Sequence, residues 1–296
     1  MSTDFLHIHQ FKAMGSPCQC ELVTSSAEPP DFSPFVAEVA RLESKYSRFL
    51  TDSVTSELRQ CAELGGNTAV DEETAALFNL AEQAYALSGG LFDITSCSLS
   101  EIWDFKKRVV PSSEQIAQKL ALTGWEQLGW SSPSISFVEG MAIDFGGLVK
   151  EYAVDCLITI AQQQGFRSAL FDLGGDIACF GAPPGESAWR VGVRNPNGND
   201  ALCSLTLRKG AIASSGIYER RFEMDGKIYS HLINPKTGWP ANEVVSVTVV
   251  SQLCVMAGIL STSAMLMPSA QAVLWLEQLG VRYVVVDSQD RVFKSS

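Results

Sequence analysis

The sequence predicts an α+β fold, a mixed, largely antiparallel sheet with helices packed on it, in one domain spanning residues 1–296. Three observations carry this. Short apolar runs with strand character dominate from about residue 167 to residue 250, separated by Gly, Pro and Asn turns. Segments of helical periodicity flank that region on both sides. No repeat array, low-complexity tract or clear linker divides the 296 residues, and a hydrophobic content of 46% supplies a full core.

Residues 14–24 alternate enough for a first strand, and the Pro- and Asp-bearing stretch 25–33 is a loop. A helix follows, with Ser33 as its cap, Pro34 at its first position and Phe35, Val39, Leu42 and Tyr46 on one face. Asp71 caps a second helix whose Leu77, Leu80, Ala84 and Leu87 face inward, and Gly89-Gly90 ends it. Residues 91–105 then form a site loop. A short helix begins at Ser112-Ser113-Glu114, and 134–138 with 141–145 reads as a hairpin. Strands follow at 167–173, 177–181, 189–193, 204–207, 211–214, 221–224, 229–233 and 245–250, with Asp225-Gly226 as a hairpin turn. Two helices, 255–267 and 269–279, precede a last strand at 283–287.

Twenty-two basic against thirty-three acidic residues give a formal charge of -11, which repels nucleic acid and anionic membrane over most of the surface. The longest apolar run, 253–267, is interrupted by Gly258, Ser261, Thr262 and Ser263 and reads as a buried helix, not a membrane span. The start, Met1-Ser2-Thr3-Asp4-Phe5, has no basic segment followed by an apolar core, so no secretion signal is expected. Cys18 is no lipid anchor, and the expected location is cytoplasmic. The eight cysteines are scattered without a Cys-x-x-Cys pair and are expected to be reduced thiols with no chemistry assigned.

Three stretches carry the candidate chemistry. In Ser230-His231-Leu232-Ile233-Asn234-Pro235-Lys236-Thr237-Gly238, His231 ends an apolar strand just before a tight turn. It is either a proton shuttle near neutral pH or a hairpin cap bonded to backbone. Ile143-Asp144-Phe145-Gly146-Gly147-Leu148-Val149-Lys150 and Leu170-Phe171-Asp172-Leu173-Gly174-Gly175-Asp176 each read as short strand, Asp, apolar residue and glycine pair. A helical stripe of Leu148, Tyr152, Cys156 and Ile160 follows the first unit, so Gly146-Gly147 would open a helix N-terminus suited to a phosphate. Taken singly, such a pair is more often a turn or close-packing device.

Together with Ala213-Ser214-Ser215-Gly216-Ile217-Tyr218, Met14-Gly15-Ser16 and Ser88-Gly89-Gly90-Leu91-Phe92-Asp93-Ile94-Thr95, these segments resemble the ApbE family, the FAD:protein FMN transferases, in the family's order from about Lys12 to Met267. The resemblance implies that FAD binds and that its FMN half moves onto a Thr or Ser hydroxyl of a target flavoprotein, with AMP leaving and Mg2+ assisting. It places Met14 at the flavin, Phe49 as an aromatic flap over it, and Leu91, Phe92 and Asp93 around the dinucleotide. It implies that Asp144 binds FAD, that Gly147 offers its carbonyl to the metal, and that Lys150 lies where the acceptor or phosphate approaches. Ser214, Ser215, Gly216 and Ile233 would contact the nucleotide, and Ser261 and Thr262 would be metal ligands. Lys150 and His231 are the catalytic candidates, whereas Asp172, Gly174 and Gly175 would fix the second turn.

One departure is plain. Ala257-Gly258-Ile259-Leu260-Ser261-Thr262 answers to the family's Ala-Asp-Ala-Leu-x-Thr, so Gly258 stands where that pattern has a magnesium-binding Asp. Mg2+ prefers at least one carboxylate, and Asp144 and Asp176 are the candidates to compensate. A Gly inside a helix costs about 1 kcal/mol against Ala, so an aspartate in its place should be tolerated on propensity alone. Two alternatives to transfer follow: a member that binds FAD as a flavin carrier or regulatory module, and an FAD pyrophosphatase.

Overall fold

The structure, a computed structural model, describes residues 4–198, 200–217 and 221–295. Residues 1–3 and Tyr218, both used in the sequence reading, lie outside the described residues. The chain begins with a hairpin, β1 (Phe5–Ala13) and β2 (Ser16–Thr24), followed by α1 (Ser33–Tyr46), α2 (Val54–Glu63), β3 (Asn67–Ala69) and α3 (Glu72–Leu87). Next come α4 (Cys97–Ser100), α5 (Ser113–Leu120), β4 (Gly129–Ser131), β5 (Ser134–Ser136) and α6 (Val149–Gln163). The strand-rich region holds β6 (Ser168–Leu173), β7 (Asp176–Phe180), β8 (Trp189–Arg194), β9 (Ala201–Leu207), β10 (Lys209–Gly216), β11 (Arg221–Met224), β12 (Lys227–Ser230) and β13 (Val244–Ser251). The chain closes with α7 (Cys254–Met265), α8 (Ser269–Gln278), β14 (Arg282–Asp287) and β15 (Val292–Lys294).

Eight strands form one sheet in the order β1-β2-β6-β7-β10-β13-β14-β15, and each neighbouring pair is antiparallel. The α+β fold class holds. Period-two alternation divides the strands between two faces. In β6, Ala169, Phe171 and Leu173 point into the core under α1 and α6, while Leu170 points to the other face. There the β8–β9 ribbon covers the sheet with Trp189, Val191 and Leu207. Beside the main core, α7 and α8 bury Ala257, Leu260, Ala264 and Leu276 against Val247, Val249 and Val285 of β13 and β14. Among the described residues no helix is long and apolar enough to cross a membrane.

Helix α7 is buried on nearly all sides, which accounts for its unbroken run of apolar and small residues. It has no cap of its own. The carboxylate of Asp155, from the middle of α6, accepts the amides of Cys254 and Val255 at 2.8 and 3.0 Å and so satisfies donors that every helix start leaves unpaired.

Several expectations need correction. The first strand is a hairpin, because Met14 and Gly15 both take positive φ (49° and 72°) and turn the chain between β1 and β2. β1 was not foreseen: its alternation is partial burial against exposure, as suits an edge strand paired on one side only. Ser33 is not the cap of α1, since Phe32 takes that position and Ser33 instead bonds Asp31. α2, capped by Ser53, was also missed. In α3 Phe78 and Ala81 join Leu77 and Ala84 inside, and Leu87 is exposed. The expected hairpin of 134–138 with 141–145 is replaced by β5 pairing with β3 and β4, and 141–145 crosses the core without strand pairing. α6 buries Val149, Ala153, Val154, Leu157 and Ala161 more deeply than the stripe of Tyr152, Cys156 and Ile160. The strand expected at 229–233 ends at Ser230. All eight cysteines are free, and burial pushes the Cys20 and Cys179 thiols up to about 12, leaving them protonated at neutral pH.

Candidate active site

The two glycine-pair units come together around Lys150. Asp144 closes the first by accepting the Gly146 amide at 3.0 Å, and α6 starts within one turn of Gly147. The second is the β6–β7 hairpin turn, where Asp172 accepts the Gly175 amide at 2.7 Å and Gly174 and Gly175 take φ of 70° and 94°. Here glycine is required twice over. A side chain on Gly174 would also meet Ser16 Cβ at 2.7 Å, and the same point lies 3.8 Å from Lys150 Nζ. Only the first unit therefore opens a helix.

Lys150 Nζ stands 2.7 Å from Asp176 Oδ2, as a charge contact rather than an aligned hydrogen bond. Asp176 is buried at the start of β7, where burial raises its carboxyl above the usual range while Lys150 pulls the other way. Glu151, the next residue of α6, is 8% exposed, and its Oε2 has no hydrogen-bond partner. Burial first, and the Asp176 charge second, push its carboxyl up to about 8. The one ammonium is taken by Asp176, and the Glu151 carboxyl beside it keeps its proton into the neutral range.

Across from this pair, β10 and α7 bring three hydroxyls together. Ser215 Oγ lies 2.9 Å from Ser261 Oγ and 3.0 Å from Thr262 Oγ1, and Ser261 also donates to the Gly258 carbonyl at 3.1 Å. Strand alternation sends Ser214 to the opposite face, where its hydroxyl pairs with Thr248 at 2.8 Å, while its backbone amide serves Asp176. A β-carbon on Gly258 would lie 2.9 Å from Glu151 Oε1. Lys150, Glu151, Asp176, Ser215, Gly258, Ser261 and Thr262 therefore form one constellation over α6, β7, β10 and α7.

A second group lies before α6. Asp144 Oδ2 accepts from Arg48 at 3.0 Å, and the Arg48 guanidinium lies 5.0 Å from the centre of the Phe49 ring, which is 82% exposed. Phe92 is buried behind Gly147, and the Asp144 amide donates to the Ile94 carbonyl at 3.0 Å, joining this loop to the segment after α3. Asp93 accepts the amide and hydroxyl of Thr95 and lines a concavity of about 300 Å³ with Tyr85, Glu126 and Lys236. Met14 is half-buried and donates its amide to Glu43 at 2.8 Å, while Leu91 packs on the α7–α8 core.

His231 is half-buried directly after β12. Its turn is anchored on both sides. Asn234 accepts the Gly238 amide at 2.8 Å and reaches the Leu266 carbonyl at 3.4 Å, and Trp103 donates to the Gly238 carbonyl at 3.2 Å. Ile233 is buried with Leu99, Trp103 and Ile116. Sequence reasoning missed Arg48 and Glu151. The position of Arg48 beside Phe49 was one signal. For Glu151 the signal was an acid at i, i+4 spacing from Asp155 on a helix that buries that face.

The constellation offers a hard divalent cation the oxygen donors such ions take: three hydroxyls and the unpartnered Oε2 of Glu151. Among the described residues no three His, Cys, Asp or Glu side chains gather round one point, so carbonyl or phosphate oxygens would complete such a set.

The chain matches the ApbE family over residues 14–285. An FAD:protein FMN transferase of Vibrio cholerae is 30% identical over 234 residues, covering 76% of this chain and 70% of that protein. The fold is similar to apo flavinyl transferase ApbE of Pseudomonas stutzeri, with a TM-score of 0.90, 25% identity and coverage of 99% and 96%. It is similar too to the ApbE protein of Thermotoga maritima, with a TM-score of 0.89, 29% identity and coverage of 99% and 97%. By its sequence over most of its length, and by its fold, the chain belongs to the ApbE family.

Proposed function

We propose that this protein is an FAD:protein FMN transferase, moving FMN from FAD to a Thr or Ser hydroxyl of a target flavoprotein. The observation that carries the reading is the joined constellation of Lys150, Asp176, Ser215, Ser261 and Thr262, drawn from segments far apart in sequence. The names of its relatives support it. In the reaction, the acceptor oxygen forms a bond to the phosphorus of the FMN half, the pyrophosphate bridge breaks, and AMP leaves with the bridging oxygen.

Lys150 presents the positive charge next to the exposed Gly146-Gly147 loop, where a pyrophosphate would approach. Asp176 holds that ammonium in place. Ser215 and Thr262 offer hydroxyls to phosphate oxygens, and Phe49 with Arg48 supplies an exposed aromatic and cationic surface for the flavin ring. His231 would take the proton from the acceptor hydroxyl. Mg2+, when bound, would neutralise charge on the pyrophosphate, and Ser261, Thr262, the Gly147 carbonyl and a carboxylate are the groups we propose would hold it.

The test is incubation of the protein with FAD, Mg2+ and an acceptor flavoprotein carrying a flavinylation Thr, read by intact mass and AMP release. A gain of one FMN on the acceptor with equimolar AMP is the expected result. AMP release without the mass gain would mean a pyrophosphatase, and FAD binding without either would mean a carrier. His231→Ala should keep FAD binding and lower the transfer rate.

A further inference from the structure

The family pattern puts a metal-binding Asp at position 258, and this chain has Gly there. The space is nevertheless taken. A β-carbon on Gly258 would lie 2.8 Å from Glu151 Cγ, 2.9 Å from Oε1 and 3.0 Å from Cδ. Real β-carbons do not approach other heavy atoms that closely, so no side chain at 258 can coexist with this placement of Glu151. The Glu151 carboxyl reaches across from α6 into the volume where an aspartate side chain on α7 would begin.

Three further observations give that carboxyl a task. It is buried, and its Oε2 meets no donor, an arrangement that is costly unless a positive charge arrives. The ammonium beside it, Lys150, is engaged by Asp176 at 2.7 Å. On the α7 side, Ser261 and Thr262 lie one turn beyond Gly258, with Ser215 within 3.0 Å of both.

We infer that Glu151 supplies, from α6, the carboxylate oxygen for a divalent cation that the family pattern draws from position 258 on α7, and that Gly258 is present to admit it. This rests on the transfer reading above. The ligand has changed helices while its charge has kept its place. Asp144 does not fill this role, since both its oxygens are bonded, to Arg48 and to the Gly146 amide, and Asp176 is committed to Lys150.

The experiment uses Mn2+ as the probe, with free ion followed by its electron paramagnetic resonance signal over the FAD-saturated protein. Wild type should bind one Mn2+. Glu151→Gln, which keeps the shape and removes the charge, should weaken binding at least tenfold with an unchanged or raised melting temperature. The double variant Glu151→Ala, Gly258→Asp should return the affinity to within about threefold of wild type, because it moves the carboxylate back to α7. Glu151→Gln binding as tightly as wild type, or a wild type that binds no Mn2+, would overturn the inference. FAD affinity is measured on the same samples by calorimetry. Loss of FAD binding in wild type defeats the transfer reading, whereas intact FAD binding with Mn2+ affinity indifferent to Glu151 defeats only this assignment.

Discussion

Lys150 Nζ and Asp176 Oδ2, 2.7 Å apart, tie the first turn of α6 to the first residue of β7. The ammonium is partly open to solvent and the carboxylate is buried, so the two ends of the pair are unequal. Lys150→Met should cost about 3 kcal/mol, because it strands a buried acid. Lys150→Met with Asp176→Asn should recover most of that. Urea denaturation of both variants decides the point, and equal losses would mean that the ion pair plays no part in stability.

Gly258→Ala should destabilise by about 2 kcal/mol despite the better helix propensity of Ala, since its methyl would meet Glu151. In a Glu151→Ala background the same change should be neutral or stabilising. This reverses the expectation from propensity alone, under which position 258 would accept a side chain freely. Thermal melts of the four proteins of this cycle give the coupling directly.

Phe49→Ala should leave the melting temperature within about a degree of wild type, because a ring that is 82% exposed contributes no burial to the fold. If the ring covers the flavin, FAD affinity should fall about tenfold, in line with about 1.4 kcal/mol of aromatic stacking. Calorimetry with FAD and with ADP separates the cases. An equal loss for ADP, which has no isoalloxazine, would place Phe49 elsewhere on the ligand.

Acid should loosen the α1–α3 contact. Hydrogen bonds from Arg41 and then Lys45 hold the Glu73 carboxyl down at about 2, against the usual 4.5. A lowered carboxyl stabilises the folded state above its unfolded value and loses that contribution as pH falls from about 4.5 to about 2. Because the network is partly solvent-exposed, the effect is about 1 kcal/mol. Glu73→Gln should flatten the stability profile over that window and leave it unchanged in slope above about pH 6; a slope retained in the variant would assign it to other carboxylates.

The fold class, the strand-rich centre and the helices at 33–46 and 72–87 were legible because binary pattern and helix signals agreed there. β1 and 141–145 misled for opposite reasons. An edge strand buries little, so its pattern was faint, while a buried loop segment is apolar enough to imitate a strand. At the site, Lys150, Ser215, Ser261 and Thr262 were named from motifs; the three hydroxyls gather at Ser215, and Lys150 meets Asp176. Glu151 was not, because its meaning depends on the residue opposite it, and no local pattern carries a contact between α6 and α7. Gly258 looked like a loss for the same reason.

The borrowed cap on α7 has a mechanical consequence. Asp155 meets the amides of Cys254 and Val255, and Glu151 lies against Gly258, so a step of four residues forward on α6 matches a step of four back on α7. Those are two rungs of a ladder about 6 Å apart. A slip of α7 by a single residue, about 1.5 Å along its axis, would unhook the upper rung and move Gly258 off Glu151 in the same movement. Asp155 thus works as a locating pin, setting the spacing of a site that it never touches.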